Sequence, residues 1–191
     1  MKRSVLFITT LIQGKDLILD KVFAQCEGIK DIGLNVDLFF VNQEYKLCRN
    51  GICIEDLYSR LGVQTLFFNK LLKSVRLADY SLVYIRNPFV ANQISYFHFL
   101  HFAKKSKCKI ILEIPTYPYE FELTSIKSKI VFCIESIANI FLRKYIAMIV
   151  YSGDKRLLIH GIKCTSLSNV GNLKGFSISK SKFENGILRL V

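Results

Sequence analysis

The chain has 191 residues, 51% of them apolar and 22% charged, a balance that excludes intrinsic disorder, collagen-like repeats and low-complexity polymers and fits one core-forming domain. Lysine and arginine number 27 against 15 aspartates and glutamates, so the formal charge is +12 and the surface should attract something acidic. Phosphate-bearing ligands, nucleic acid and anionic lipid all qualify.

In chain order, Met1-Lys2-Arg3 followed by apolar Val5 to Ile8 imitates a signal peptide, yet Gln13, Gly14, Lys15 and Asp16 follow without a small-residue cleavage site. The segment reads as a first strand. Leu19, Val22, Phe23 and Cys26 then keep helical spacing before Gly33. Val36 to Val41, Leu82 to Ile85, Ile110 to Ile114 and Ala147 to Tyr151 are short apolar runs without alternation, the pattern of strands covered on both faces. Asn50-Gly51, between Tyr45 to Cys48 and Ile52 to Ile54, is the favoured dipeptide of a tight hairpin. Ile130, Ile134, Ile137, Phe141 and Tyr145 again have helical spacing, and the run Ile130 to Leu142 is too short to cross a bilayer. Strand–helix alternation of this kind predicts an α/β fold, a Rossmann-like, mostly parallel sheet with helices on both faces and a small decorating hairpin near Asn50-Gly51. From Cys164 onward, Gly171, Gly175 and Gly186 punctuate short apolar pieces, read as a last strand and an irregular connector, and Ile187 to Val191 begins another strand. A truncated chain is therefore expected. Cys26, Cys48, Cys53, Cys108, Cys133 and Cys164 are scattered without a CxxC pair, so buried free thiols in a reducing compartment are expected.

In an open parallel sheet, ligands bind beyond the carboxyl ends of the strands, so the residues that end each apolar run are the candidates. After the first strand come Thr9, Thr10, Gln13, Gly14 and Lys15, where glycine lets backbone amides approach a ligand and lysine supplies charge. An ordinary strand-to-helix turn is the alternative there, and no dinucleotide or Walker pattern is present. Arg86, Asn87 and Pro88 follow the next run; Arg86 could hold a phosphate or carboxylate, or could pair with a neighbouring strand-end acid. The densest stretch holds Glu113, Pro115, Tyr117, Pro118, Tyr119, Glu120 and Glu122: prolines fix a loop, tyrosines offer flat faces suited to sugars or bases, and a carboxylate can orient a hydroxyl. A packed aromatic corner is its alternative. Ser152 and Gly153, then Asn169, Gly171 and Asn172, are turn residues with spare hydrogen-bonding groups that could line a cleft. His98 and His101 stand three apart on a helix without a third ligand, so no metal site is expected. Lys104, Lys105 and Lys107 form a basic cluster, but no RNP-like strand, helix-turn-helix or zinc finger accompanies it, and nucleic acid is not the favoured partner.

SVLFIT at the start, YIRNPF at 84 to 89, EIPTYPYEFE at 113 to 122 and VYSGDKR at 150 to 156 occur in that order. In this the chain resembles the N-terminal, acceptor-side domain of bacterial family 4 glycosyltransferases of the GT-B fold. The resemblance implies a Rossmann-like acceptor-binding domain over 1–175 and, over 176–191, a linker and the start of a donor-binding domain. It implies sugar transfer without a bound metal or cofactor, from a nucleotide-sugar held by the second domain or a separate donor-domain polypeptide. The acceptor would be a glycan or lipid-linked sugar in cell-surface polysaccharide synthesis. Gly14 would belong to the acceptor loop, Arg86 to a strand end and Glu113 to Glu122 to a cleft-facing loop, while Asn169-Val170-Gly171-Asn172 departs from the family's linker turn. The basic surface would place the protein in the cytoplasm, peripheral to the anionic inner face of the membrane. The rival expectation is a non-enzymatic basic module for nucleic acid or anionic lipid.

Overall fold

The computed structural model describes residues 4–13, 19–57, 63–86, 94–114, 130, 133, 137–138, 140–152, 156–166, 183–184 and 187–188. The first strand, β1 (Ser4–Ile12), lies parallel to β2 (Asn35–Val41) on one side and to β5 (Leu82–Arg86) on the other. The hairpin β3 (Lys46–Arg49) and β4 (Ile52–Asp56) adds two antiparallel strands beyond β2. On the other side β6 (Lys109–Ile114), β7 (Met148–Tyr151) and β9 (Ile162–Ser166) continue the parallel order, and β8 (Leu158–Ile159) closes the edge antiparallel. The sheet order is β4-β3-β2-β1-β5-β6-β7-β9-β8. This is the mixed, mostly parallel α/β sheet that the unalternating apolar runs predict.

Burial on both faces explains why those runs do not alternate. Leu6, Ile8, Phe39, Val83, Ile85, Ile110 and Leu112 face one core with α2 (Val63–Ser74) and α3 (Ile94–Lys105), whose Phe67, Phe68, Tyr96 and Phe99 are fully buried. The Phe68 ring lies 4.9 Å from that of Tyr96 and 5.4 Å from that of Phe99. Val5, Phe7, Val36, Leu38 and Phe40 face the opposite core, where α1 (Leu19–Asp31) contributes Leu19, Val22 and Cys26. Each such side chain withdrawn from water contributes about 1.5–3 kcal/mol, so β1, buried on both sides, anchors the two cores to each other.

The hairpin turns through Asn50 and Gly51, both at positive φ (50° and 90°), the backbone that Asn-Gly adopts most cheaply. Asn50 Oδ1 accepts from the Leu38 amide at 2.8 Å, and Asp37 accepts from Arg49, Asn50 and Tyr80 at 2.7–3.2 Å, fastening the turn to β2. A second hairpin, β8–β9, turns through the half-buried His160 and Gly161 at φ 50° and 75°. Ile187–Leu188 is a strand, β11, paired antiparallel with β10 (Phe183–Glu184) apart from the main sheet.

The expectation of buried free thiols holds for two cysteines; two more are free but not buried, and two are not free. Cys26 and Cys108 are buried and free, Cys133 is exposed, Cys164 is half-buried, and Cys48 and Cys53 form a disulfide. The reason is register: the turn at Asn50-Gly51 sets Cys48 directly opposite Cys53 across β3 and β4. Burial pushes the Cys26 thiol up to about 12, leaving it an inert core group.

Candidate functional site

The order of the central strands reverses at β1: the chain leaves β1 for β2 on one side and later returns to β5 on the other. The gap beyond the carboxyl ends of β1 and β5 is where an open α/β sheet offers a crevice. Register puts Thr9 of β1, Arg86 of β5, Glu113 of β6 and Val150 of β7 in one row across that end of the sheet. Thr9, Arg86 and Glu113 are all buried, three of the few polar residues so placed among those described. Thr9 sits inside β1 instead of in a following loop, because the strand passes an irregularity between Ile8 and Ile12 and rejoins β2 at Val41. Its Oγ1 accepts from the Leu11 amide at 3.3 Å, and the Gln13 amide donates to the Val41 carbonyl at 2.8 Å.

Arg86 Nη1 donates to Glu113 Oε1 at 2.5 Å, with side-chain exposures of only 7% and 9%. The strand-end acid that one reading of Arg86 invoked is therefore Glu113, the first residue of the proline–tyrosine stretch. Two residues that the sequence did not single out complete the cluster. Tyr84, two positions before Arg86 on the same face of β5, stacks on Phe7 at 4.7 Å and donates its hydroxyl to Glu113 Oε2 at 2.9 Å. Gln25 reaches over from α1: its Oε1 accepts from Arg86 Nη1 at 2.8 Å, and its Nε2 points at the Glu113 carboxylate at 3.4–3.5 Å. Gln25 follows Val22 by three residues, so its position toward the sheet was readable from helical spacing alone. Burial, with the adjacent Glu113 carboxylate, raises the Tyr84 phenol far above its ordinary value, so it remains a donor.

Among the described residues the cluster is charge-balanced and leaves one donor without a partner. Arg86 Nε is buried and has no acceptor among the described residues. A buried N–H left unpaired costs on the order of 1–3 kcal/mol.

Of the other predicted site residues, Gln13 is exposed at the end of β1, and Ser152 is half-buried directly after β7. Gly14, Lys15, Asn87, Pro115, Tyr117, Tyr119, Glu120, Gly153, Asn169, Gly171 and Asn172 lie outside the described residues. His98 and His101 are both exposed on α3, and among the described residues no group of His, Cys, Asp or Glu could hold a metal. Lys104, Lys105 and Lys107 are exposed where α3 ends and β6 begins, the edge of the sheet opposite Arg86 and Glu113. No helix among the described residues is long and apolar enough to cross a membrane. No protein-family model, curated protein or solved structure matches the chain.

Proposed function

We propose that this chain is the acceptor-binding half of a glycosyltransferase. It would hold a glycan or lipid-linked sugar, one hydroxyl of which receives a sugar from a nucleotide-sugar carried by a second domain or polypeptide. The observation that carries the reading is the buried Arg86–Glu113 pair at the carboxyl edge of β5 and β6, with an Arg86 Nε that has no acceptor among the described residues.

The charge balance supports a sugar over a free phosphate. With Arg86 neutralised by Glu113, the cluster exerts little net attraction on an anion, while a neutral hydroxyl can accept from Nε without disturbing the pair. Phe7 and Tyr84 back the cluster with a stacked aromatic wall. In this reading the chain supplies orientation: a hydroxyl fixed at one buried donor is presented toward the donor half at a defined angle, which is the entropic part of catalysis.

Reconstitution tests it. Mixed with donor-binding polypeptides and a panel of nucleotide-sugars, the chain should support transfer to lipid-linked or soluble saccharide acceptors. Arg86→Lys, which keeps the charge and loses the fork, should lower kcat/KM for the acceptor at least tenfold. Failure with every donor and acceptor, alongside salt-sensitive RNA binding abolished by Lys104→Gln, Lys105→Gln and Lys107→Gln, would replace the reading with a basic binding module.

A further inference from the structure

Among the described residues, three buried side-chain atoms have no hydrogen-bond partner: Arg86 Nε, Ser95 Oγ and Tyr96 Oη. All three flank one connection, between the end of β5 and the first turn of α3, the helix that follows it. Arg86 belongs to the pair described above. Ser95 and Tyr96 belong to the other face of the sheet, because Tyr96 and Phe99 pack into the larger core while Gln25 meets Arg86 from α1. Tyr96 is wholly enclosed, with its ring against that of Phe68. Ser95 is only 5% exposed, yet Ile94 at the start of the helix is 75% exposed, so the first turn of α3 reaches solvent.

The position of that turn gives the hydroxyl a use. The 12 residues of α3 span about 18 Å and run back along the sheet to its amino edge, where the Ala103 carbonyl accepts from the Cys108 amide at 3.0 Å directly before β6. The helix therefore starts at the carboxyl edge, where open α/β sheets hold ligands. First-turn amides of a helix have no intrahelical acceptor, and the aligned peptide dipoles make this end positive. Lys104 and Lys105 complement the other end, whereas the first turn contains no acid. Helical Cα–Cβ bonds tilt toward the N-terminus, so the Ser95 hydroxyl is directed at the same end as those amides. In a chain of charge +12, the group such an end selects is a multiply charged anion, and a phosphoryl group presents several oxygens to amides and hydroxyl at once.

We infer that the first turn of α3, through the amides of Ile94, Ser95 and Tyr96 and the Ser95 hydroxyl, binds a phosphoryl group at the carboxyl edge, across β5 from the Arg86–Glu113 pair. The inference rests on the helix end and on Ser95, and it stands whether or not the chain handles sugars.

Nitrogen-15 correlation spectra of the full chain test it, titrated with inorganic phosphate in a constant sodium chloride background. The Ile94, Ser95 and Tyr96 amides should move in a saturable way while the Arg86 Nε–H stays in place, so that this site and the sugar reading fail separately. Ser95→Ala should weaken phosphate binding at least tenfold. In phosphate-free buffer the same variant should melt no lower than the parent chain, since it removes a buried hydroxyl with no partner among the described residues. Phosphate should raise the melting temperature of the parent by more than that of the variant. A hexose 1-phosphate carries the same phosphoryl group: tighter binding than inorganic phosphate assigns the site to a phosphorylated sugar, equal or weaker binding assigns it to free phosphate, and both uphold it. Phosphate that leaves the three amides unmoved, glucose that moves them as far as phosphate does, or a Ser95→Ala chain that melts lower in phosphate-free buffer overturns the inference.

Discussion

Replacing Glu113 by leucine removes a carboxylate that receives Arg86, Tyr84 and Gln25 in a setting where neither member of the ion pair is more than 9% exposed. The guanidinium cannot give up its proton, so Glu113→Leu leaves an uncompensated buried charge, at a cost of about 3–5 kcal/mol. Arg86→Met strands the carboxylate and should cost a similar amount. Against a domain stability of roughly 5–15 kcal/mol, either loss lowers the melting temperature by about 6–20 °C. The Arg86→Met, Glu113→Leu double variant buries two apolar side chains of similar volume in place of the pair and should be more stable than either single variant. Urea denaturation of the four proteins, with m-values checked for constancy, closes the cycle. If the two single losses add to the double loss within about 0.5 kcal/mol, the groups are uncoupled and the reasoning built on their contact is wrong.

Thiol titration of the denatured chain without reductant should give four thiols, rising to six after reduction, because Cys48 and Cys53 are joined. Closing so short a loop stabilises the fold by about 2 kcal/mol in the chain-entropy view, so reduction should lower stability by no more than that. At Asp37, burial opposes the charge, but hydrogen bonds from Arg49, Tyr80 and Asn50 outweigh it and hold the carboxyl below its usual range. Its contribution is thus complete above the unfolded carboxyl pKa of about 4 and is lost as pH falls toward the folded value; Asp37→Asn should flatten that part of the acid stability profile. Gly33 ends α1 at φ 83°, with its amide donating to the Lys30 carbonyl at 2.8 Å, so Gly33→Ala should cost about 1 kcal/mol in denaturant midpoint experiments.

The strands were legible because burial on both faces writes itself as unbroken apolar runs: Val36 to Val41 and Leu82 to Ile85 lie within β2 and β5 almost to the residue. The Asn50-Gly51 hairpin was legible because its backbone requires positive φ and few pairs supply it cheaply. The second hairpin escaped notice, since His160-Gly161 is a weaker form of the same signal and β8 has only two residues. Long-range pairing explains the rest. Nothing local joins Arg86 to Glu113, or either to Gln25 at sequence separations of 61 and 88; parallel register and a crossover helix bring them together. The Cys48–Cys53 bond shows the opposite case, a pair close in sequence that becomes apparent only once the hairpin register is known. Ile130, Ile137 and Phe141 read from sequence as helical spacing, but that all three are exposed is a tertiary fact.

The Arg86 Nε–H resonance offers the most direct test of the central claim. In nitrogen-15 correlation spectra of the full chain it should be sharp and slowly exchanging, identified by its loss in Arg86→Lys. Titration with soluble oligosaccharide or short-chain lipid-linked sugar should move this resonance in a saturable way, and inorganic phosphate should not. A saccharide that binds without moving it, or a phosphate that moves it where no saccharide does, would contradict the assignment of this edge to a sugar hydroxyl.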